Sequence, residues 1–142
     1  DGTLGKVQLE LGSAATDFEY RDIGTELAMC QRYYCQFNGS SYLDILAWGQ
    51  CYSTTQAYYI SQFPIEMRIA PTGVSTTGTP ANYYTQKQLD QSATVTAGPT
   101  FASATKTTGK IVTTIGVPTL VAGHATTLCA ATTAYLGWSA EL

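Results

Sequence analysis

An all-β fold with one short helix near the N-terminus is what this chain of 142 residues predicts, and three observations carry that expectation. Charged residues make up 12% where about a quarter is usual, and Thr, Ser, Gln, Asn and Gly take their place. Tyr and Thr are abundant, and aromatic and β-branched side chains fit a pleated surface. Short segments of strand character recur with Gly- and Pro-containing turns between them, the pattern of a sandwich, jelly roll or barrel. The length suits one domain with its own core.

Taken in order, Val7 to Leu11 alternates apolar and polar at the period of a half-buried strand, and Phe18 and Tyr20 resume the alternation after a small-residue turn. The period then changes. Asp22 is placed as an N-cap, and Ile23, Leu27, Cys30 and Tyr34 fall on one face of a helix of about three turns. Asp22 and Glu26 lie in its first turns, where the helix dipole favours negative charge. Asn38, Gly39 and Ser40 are expected to end it.

Strands are then expected over 42–52, 56–61, 65–70, 92–97, 110–115, 125–131 and 133–142. Within them Ile65, Met67 and Ile69 point one way, and Glu66 and Arg68 the other. In the last strand Ala134, Leu136, Trp138 and Ala140 oppose Tyr135, Gly137, Ser139 and Glu141. Two stretches read as extended loops, Pro71 to Asn82 with its prolines and glycines, and Gly98 to Gly109.

The net charge of -3 and pI near 4.9 argue against a nucleic-acid partner, which would want a basic stripe. No apolar run is long enough to span a membrane, and residues 1–6 have neither the basic nor the apolar region of a signal peptide. Cys30, Cys35, Cys51 and Cys129 allow three fully paired connectivities. Their spacing does not resemble a zinc site, so no metal or cofactor is expected. Cys35 and Cys51 bracket a short segment and could pair, whereas assembly in a reducing cytoplasm leaves all four as thiols.

Catalytic patterns are weak. His124 is the only histidine, and no serine sits in a nucleophile elbow. Asp44, Glu66 and Asp90 could supply a pair of carboxyl groups for glycan hydrolysis, but any chain with this many acids offers such a set. Asn38-Gly39-Ser40 matches a glycosylation acceptor, and a helix-ending turn explains it better. The aromatics say more. Trp48, Tyr58 and Trp138 are expected inside the fold, while Tyr83 and Tyr84 divide between core and surface.

Three segments carry a resemblance: ELAMCQRYY from Glu26 to Tyr34, QFPIEMRIAPT from Gln62 to Thr72, and TTAYLGWSAEL from Thr132 to Leu142. In this order they are similar to the C-terminal tip domain of phage tail-fibre and related virion receptor-binding proteins. The stretch from Val7 to Arg21 resembles the end of the module before it, so residues 1–21 read as lead-in and 22–142 as the tip domain. Nothing between Gly73 and Gly123 carries the likeness.

The resemblance implies a homotrimeric, mainly β tip following an upstream fibre module. Its implied place is the virion, and its implied role is non-enzymatic attachment to a host-surface glycan or other receptor. A trimerisation cap with adhesion elsewhere is the alternative, and a depolymerase module a remote third. Binding is expected beside the first loop, where Asn82, Tyr83, Tyr84, Gln86 and Gln88 combine rings with uncharged donors and acceptors.

Overall fold

The computed structural model describes residues 17, 20–41, 44–77, 79–87, 92–131 and 133–141. In chain order these form helix α1 (Ile23–Gln31) and strands β1 (Tyr34–Asn38), β2 (Asp44–Cys51), β3 (Gln56–Gln62) and β4 (Val74–Thr76). A single 3-10 turn (Pro80–Asn82) leads into β5 (Tyr83–Gln86) and β6 (Ser92–Ala104). Then come β7 (Thr108–Ile115), β8 (Ala125–Ala130) and β9 (Tyr135–Ser139). The strands expected over Val7 to Leu11 and around Phe18 lie outside the described residues.

The all-β class with one short α-helix is what the structure shows. In place of the two facing sheets of a sandwich or jelly roll, six strands close into a barrel in the order β2-β3-β7-β6-β5-β8. Strand β8 pairs back to β2, and every ladder is antiparallel. Closure removes the unpaired edges that an open sheet of this size would leave. The remaining strands make a small sheet in the order β1-β9-β4.

Side-chain alternation builds the barrel interior. In β7, Gly109, Ile111, Thr113 and Ile115 are buried while the residues between them are half-buried. In β3, Ala57, Tyr59 and Ser61 face in. Three of the inward hydroxyls form a chain, while the buried Ser61 hydroxyl has no partner. Tyr59 donates to Thr85 Oγ1 at 2.8 Å, and Thr85 and Thr113 hydroxyls lie 3.5 Å apart. Burial pushes the Tyr59 phenol above its ordinary pKa, keeping it a neutral donor. Trp138 of β9 seals the end of the barrel at Gly109, with its ring edge-on to Phe63 at 5.5 Å and Phe101 at 6.3 Å.

Several expectations are corrected. Helix α1 stops at Gln31, and Tyr34 belongs to β1, because pairing with β9 over Tyr34 to Asn38 outweighs the helical pattern. The Asp22 cap holds, its carboxylate accepting from the Gly24 and Thr25 N–H groups at 2.9 and 3.3 Å. The helix nevertheless buries no residue: Ile23 is 86% exposed, and Leu27 and Cys30 are also exposed.

Segment 65–70 is not a strand, although Met67 is buried and Glu66 and Arg68 are exposed as the alternation requires. The expected loop at Gly98 to Gly109 is mostly β6, which runs for 13 residues. Register shifts, one of them around Gly98 and Pro99, bend that strand along the barrel wall. Only Thr105 to Thr107 turns, with Thr105 Oγ1 accepting from the Thr107 and Thr108 N–H groups at 3.2 and 3.0 Å. The Pro71 to Asn82 stretch contains β4 and the 3-10 turn.

Cys35 and Cys51 are not bridged, and all four cysteines are free thiols. Burial raises the pKa of Cys35, Cys51 and Cys129. Among the described residues no helix is long and apolar enough to cross a membrane.

Candidate functional site

The outer wall of the barrel carries an aromatic surface that strict alternation would have hidden. Along β2 the register shifts between Ile45 and Ala47. Leu46 and Ala47 are in consequence both buried, and the next residue, Trp48, swings outward with 65% of its surface exposed. Trp48 was expected inside; the bulge puts it outside.

Its neighbours follow from register. Trp48 lies between Ile60 on β3 and Thr127 on β8, and Ile60 lies beside Lys110 on β7. The Lys110 ammonium sits 4.1 Å from the centre of the Tyr58 ring, a cation–π distance. Tyr58 in turn packs 5.0 Å from the exposed Tyr52 ring. Ile60 is exposed as well, so the wall is apolar and aromatic with an ammonium at its edge.

On the other side of Trp48 the wall dips into a cleft of about 350 Å³, lined by Trp48, Gln86, Lys87, Ala125, Thr126 and Thr127. Gln86 lies opposite Thr127, whose hydroxyl donates to its Oε1 at 3.0 Å. Thr126 Oγ1 donates to the Gln86 carbonyl. The side-chain amide oxygen also accepts from the Cys129 thiol at 3.7 Å. Lys87 also borders a second hollow of about 430 Å³ toward Thr94, Thr96 and Thr119, and its ammonium donates to Thr119 Oγ1 at 3.0 Å. An exposed indole face beside an amide, hydroxyls and an ammonium suits a ligand with an apolar ring face and a polar rim.

The residues singled out from sequence separate. Tyr83 is fully buried: its hydroxyl donates to the Tyr135 carbonyl at 2.5 Å and accepts from Thr77 N–H and Thr77 Oγ1, each at 3.2 Å. It is a packing residue that ties β5 to β9. Asn82 is half-buried, and its main-chain carbonyl accepts from Ala131 N–H at 2.8 Å. Tyr84 and Gln86 are the outward residues of β5, opposite Cys129 and Thr127. Gln88 lies outside the described residues. Of the set, Gln86 reaches the cleft, and Trp48 and Lys87 join it from beyond the predicted loop.

The acids have local duties. Asp44 accepts from Ser40 N–H at 2.7 Å, Ser40 Oγ at 2.8 Å and Ser41 N–H at 2.8 Å, closing the loop into β2. The Ser40 hydroxyl first, and then the two N–H groups, hold its carboxyl below the ordinary value of 3.8. A depressed folded-state pKa contributes stability above the unfolded value, and that contribution disappears as pH falls through the folded one. Asp44→Asn is therefore expected to lower the melting temperature at pH 7 and to converge with the wild type in acid. Thermal melts at stepped pH check this; a constant gap down to about pH 2 would refute it.

Glu66 reaches Lys106 at 3.9 Å, and the His124 carbonyl accepts from Cys51 N–H at 2.8 Å. Asp90 lies outside the described residues. Among those described, no three His, Cys, Asp or Glu side chains gather as metal ligands would. Comparison with models of known families, with characterised proteins and with solved structures gives no match.

Proposed function

We propose that this chain is a non-enzymatic attachment domain of a phage tail fibre or related virion appendage, and that surface glycan on the host is what it holds. One observation carries the reading: Trp48 stands exposed on a rigid barrel wall, beside a cleft lined by Gln86, Lys87, Thr126 and Thr127. Indole stacks on the C–H face of a sugar, and the amide and hydroxyls answer its hydroxyl groups. The resemblance of the three segments supplies the setting on a virion. Single contacts of this kind are weak, so adhesion would draw on a trimer presenting three such sites together.

Trp48→Ala is expected to weaken adsorption to host cells or a glycan array by at least about tenfold. The melting temperature should hardly move, because surface substitutions away from packing usually change stability by about 0.5 kcal/mol or less. Undiminished adsorption by this variant would refute the site.

The trimerisation-cap reading also has its own observation, the apolar face of α1. Ile23 and Leu27 (57% exposed) leave that face uncovered among the described residues. Removing residues 135–142 cannot separate the two readings, because β9 is the central strand of the small sheet and carries Trp138. Adsorption by the wild-type assembly does separate them, being present on the attachment reading and absent on the cap reading. Ile23→Asp with Leu27→Asp tests the interface itself and is expected to give monomers in light scattering.

A further inference from the structure

The ammonium groups on the barrel wall point to a narrower ligand class. Although the chain carries a net charge of -3, neither Lys87 nor Lys110 has a carboxylate partner among the described residues. Of the described acids, Asp17 precedes α1, Asp22 and Glu26 belong to it, Asp44 at the start of β2 is bound by Ser40 and Ser41, Glu66 lies beside Lys106, and Glu141 follows β9. Among the described residues, Lys87 and Lys110 thus bring ammonium groups to the wall around Trp48 with no carboxylate paired to them.

The two lysines differ in what they can offer. The Lys110 ammonium rests over the Tyr58 ring, on the far side of Ile60 from the cleft. Lys87 borders the cleft itself and has a neutral hydroxyl, Thr119 Oγ1, as its partner at 3.0 Å. An ammonium has three donors, so further hydrogen bonds remain available to a ligand. Trp48 on β2 and Gln86 on β5 are separated by β8, a span of roughly 10 Å at two strand spacings. Trp48 and Lys87 line the same cleft, so a sugar ring lying on the indole shares that cleft with Lys87.

We infer that the cleft takes an acidic saccharide, with Trp48 under the sugar ring and Lys87 on its carboxylate; this rests on the glycan-binding reading above. A carboxylate carries one charge and is answered by one ammonium, with Thr and Gln groups for the neighbouring hydroxyls. A doubly charged phosphate would draw on more than one cation, and the second is engaged over Tyr58.

The test uses the whole chain and a panel of uronate- and sialate-containing oligosaccharides, each paired with its carboxyl-reduced neutral counterpart, alongside neutral oligosaccharides. Titration calorimetry reads affinity, and tryptophan emission reports contact, since Trp48 is exposed and Trp138 buried. At least one acidic oligosaccharide is expected to bind about tenfold or more tighter than its reduced form. Lys87→Gln should remove that difference, Lys87→Arg should keep it, and salt at about 0.5 M should shrink it. Trp48→Ala should weaken both members of the pair. Each variant's melting temperature is measured beside its affinity, and variants that melt like the wild type are compared.

Equal binding of acidic and reduced forms, or a preference that survives Lys87→Gln, overturns the acidic-sugar inference and leaves the glycan reading standing. Binding to none of the neutral or acidic oligosaccharides overturns both.

Discussion

Trp138→Ala is expected to cost about 3–5 kcal/mol, a large share of the stability of any domain this size. The side chain is fully buried and touches both parts of the fold, because it belongs to the small sheet yet fills the mouth of the barrel. Phe63 and Phe101 meet it edge-on, so truncation forfeits ring contacts as well as buried area. Gly109 shows how closely it fits: a Cβ there would lie 2.6 Å from Cζ2 of the indole. The cavity left by alanine borders a closed barrel whose strands are fixed by pairing on both sides, which limits collapse. Denaturant unfolding followed by circular dichroism checks this, since the variant also loses its buried fluorophore. Trp138→Phe is the control and should cost clearly less, because a ring remains against Phe63 and Phe101. A loss below about 1 kcal/mol for alanine would mean that the mouth is not packed as described.

Gly49→Ala is the second large effect, and it works through the main chain. A Cβ at Gly49 would overlap the Tyr58 carbonyl oxygen and lie 2.7 Å from its carbon and 2.8 Å from Tyr59 Cα. No side chain can rotate away to make room, so the β2–β3 ladder would have to part. In a closed barrel that movement is shared by β8 and β7, the next strands on either side. Overpacking of this kind costs about 1–3 kcal/mol or more, and here the upper end is expected. Gly73→Ala is the matched control, with nothing within 4 Å of the added carbon. It should be neutral or slightly stabilising, by up to about 1 kcal/mol, as the unfolded chain loses freedom. Similar melting temperatures for the two variants would refute the close approach. Because Gly49 follows Trp48, a folded Gly49→Ala protein should also bind glycan less well if the proposed site is right.

The attachment reading places Trp48 and Gln86 on paired strands, with Lys87 just past the end of β5. That placement has a physical advantage. Strands paired on both sides hold an exposed ring without the ordering cost that a mobile loop would add on binding. It also explains why Tyr83, the ring nearest the Pro/Gly-rich stretch, is unavailable: its hydroxyl is committed to Tyr135 and Thr77.

What the sequence by itself determined is the part governed by local rules. The Asp22 cap was legible because capping needs only the next three residues. Four barrel strands, β2, β3, β7 and β8, were legible because period-2 alternation and flanking turns are written within each segment. The last strand was clearest: Ala134, Leu136, Trp138 and Ala140 are all fully buried, as their spacing required.

Tertiary structure decided the rest. Strands β1 and β4 are short and exist as partners of β9, some sixty to a hundred residues away in sequence, so nothing local announces them. Strand β6 continues through Gly98 and Pro99 because register shifts against β7 absorb residues that ordinarily end a strand. The apolar stripe of α1 was read correctly as a pattern, but what it faces is not a property of the helix, and within this chain it faces solvent. For the candidate site, Gln86 was legible as an uncharged polar group near an aromatic pair. Trp48 and Lys87 were not. A single bulge between Ile45 and Ala47 turns Trp48 from core to surface, and only the pairing of β8 with both β2 and β5 brings Trp48 into one cleft with Gln86 and Lys87. Side-chain period is local and survives in sequence; which face a bulged strand presents, and what lies beside it, is set by partners elsewhere in the chain.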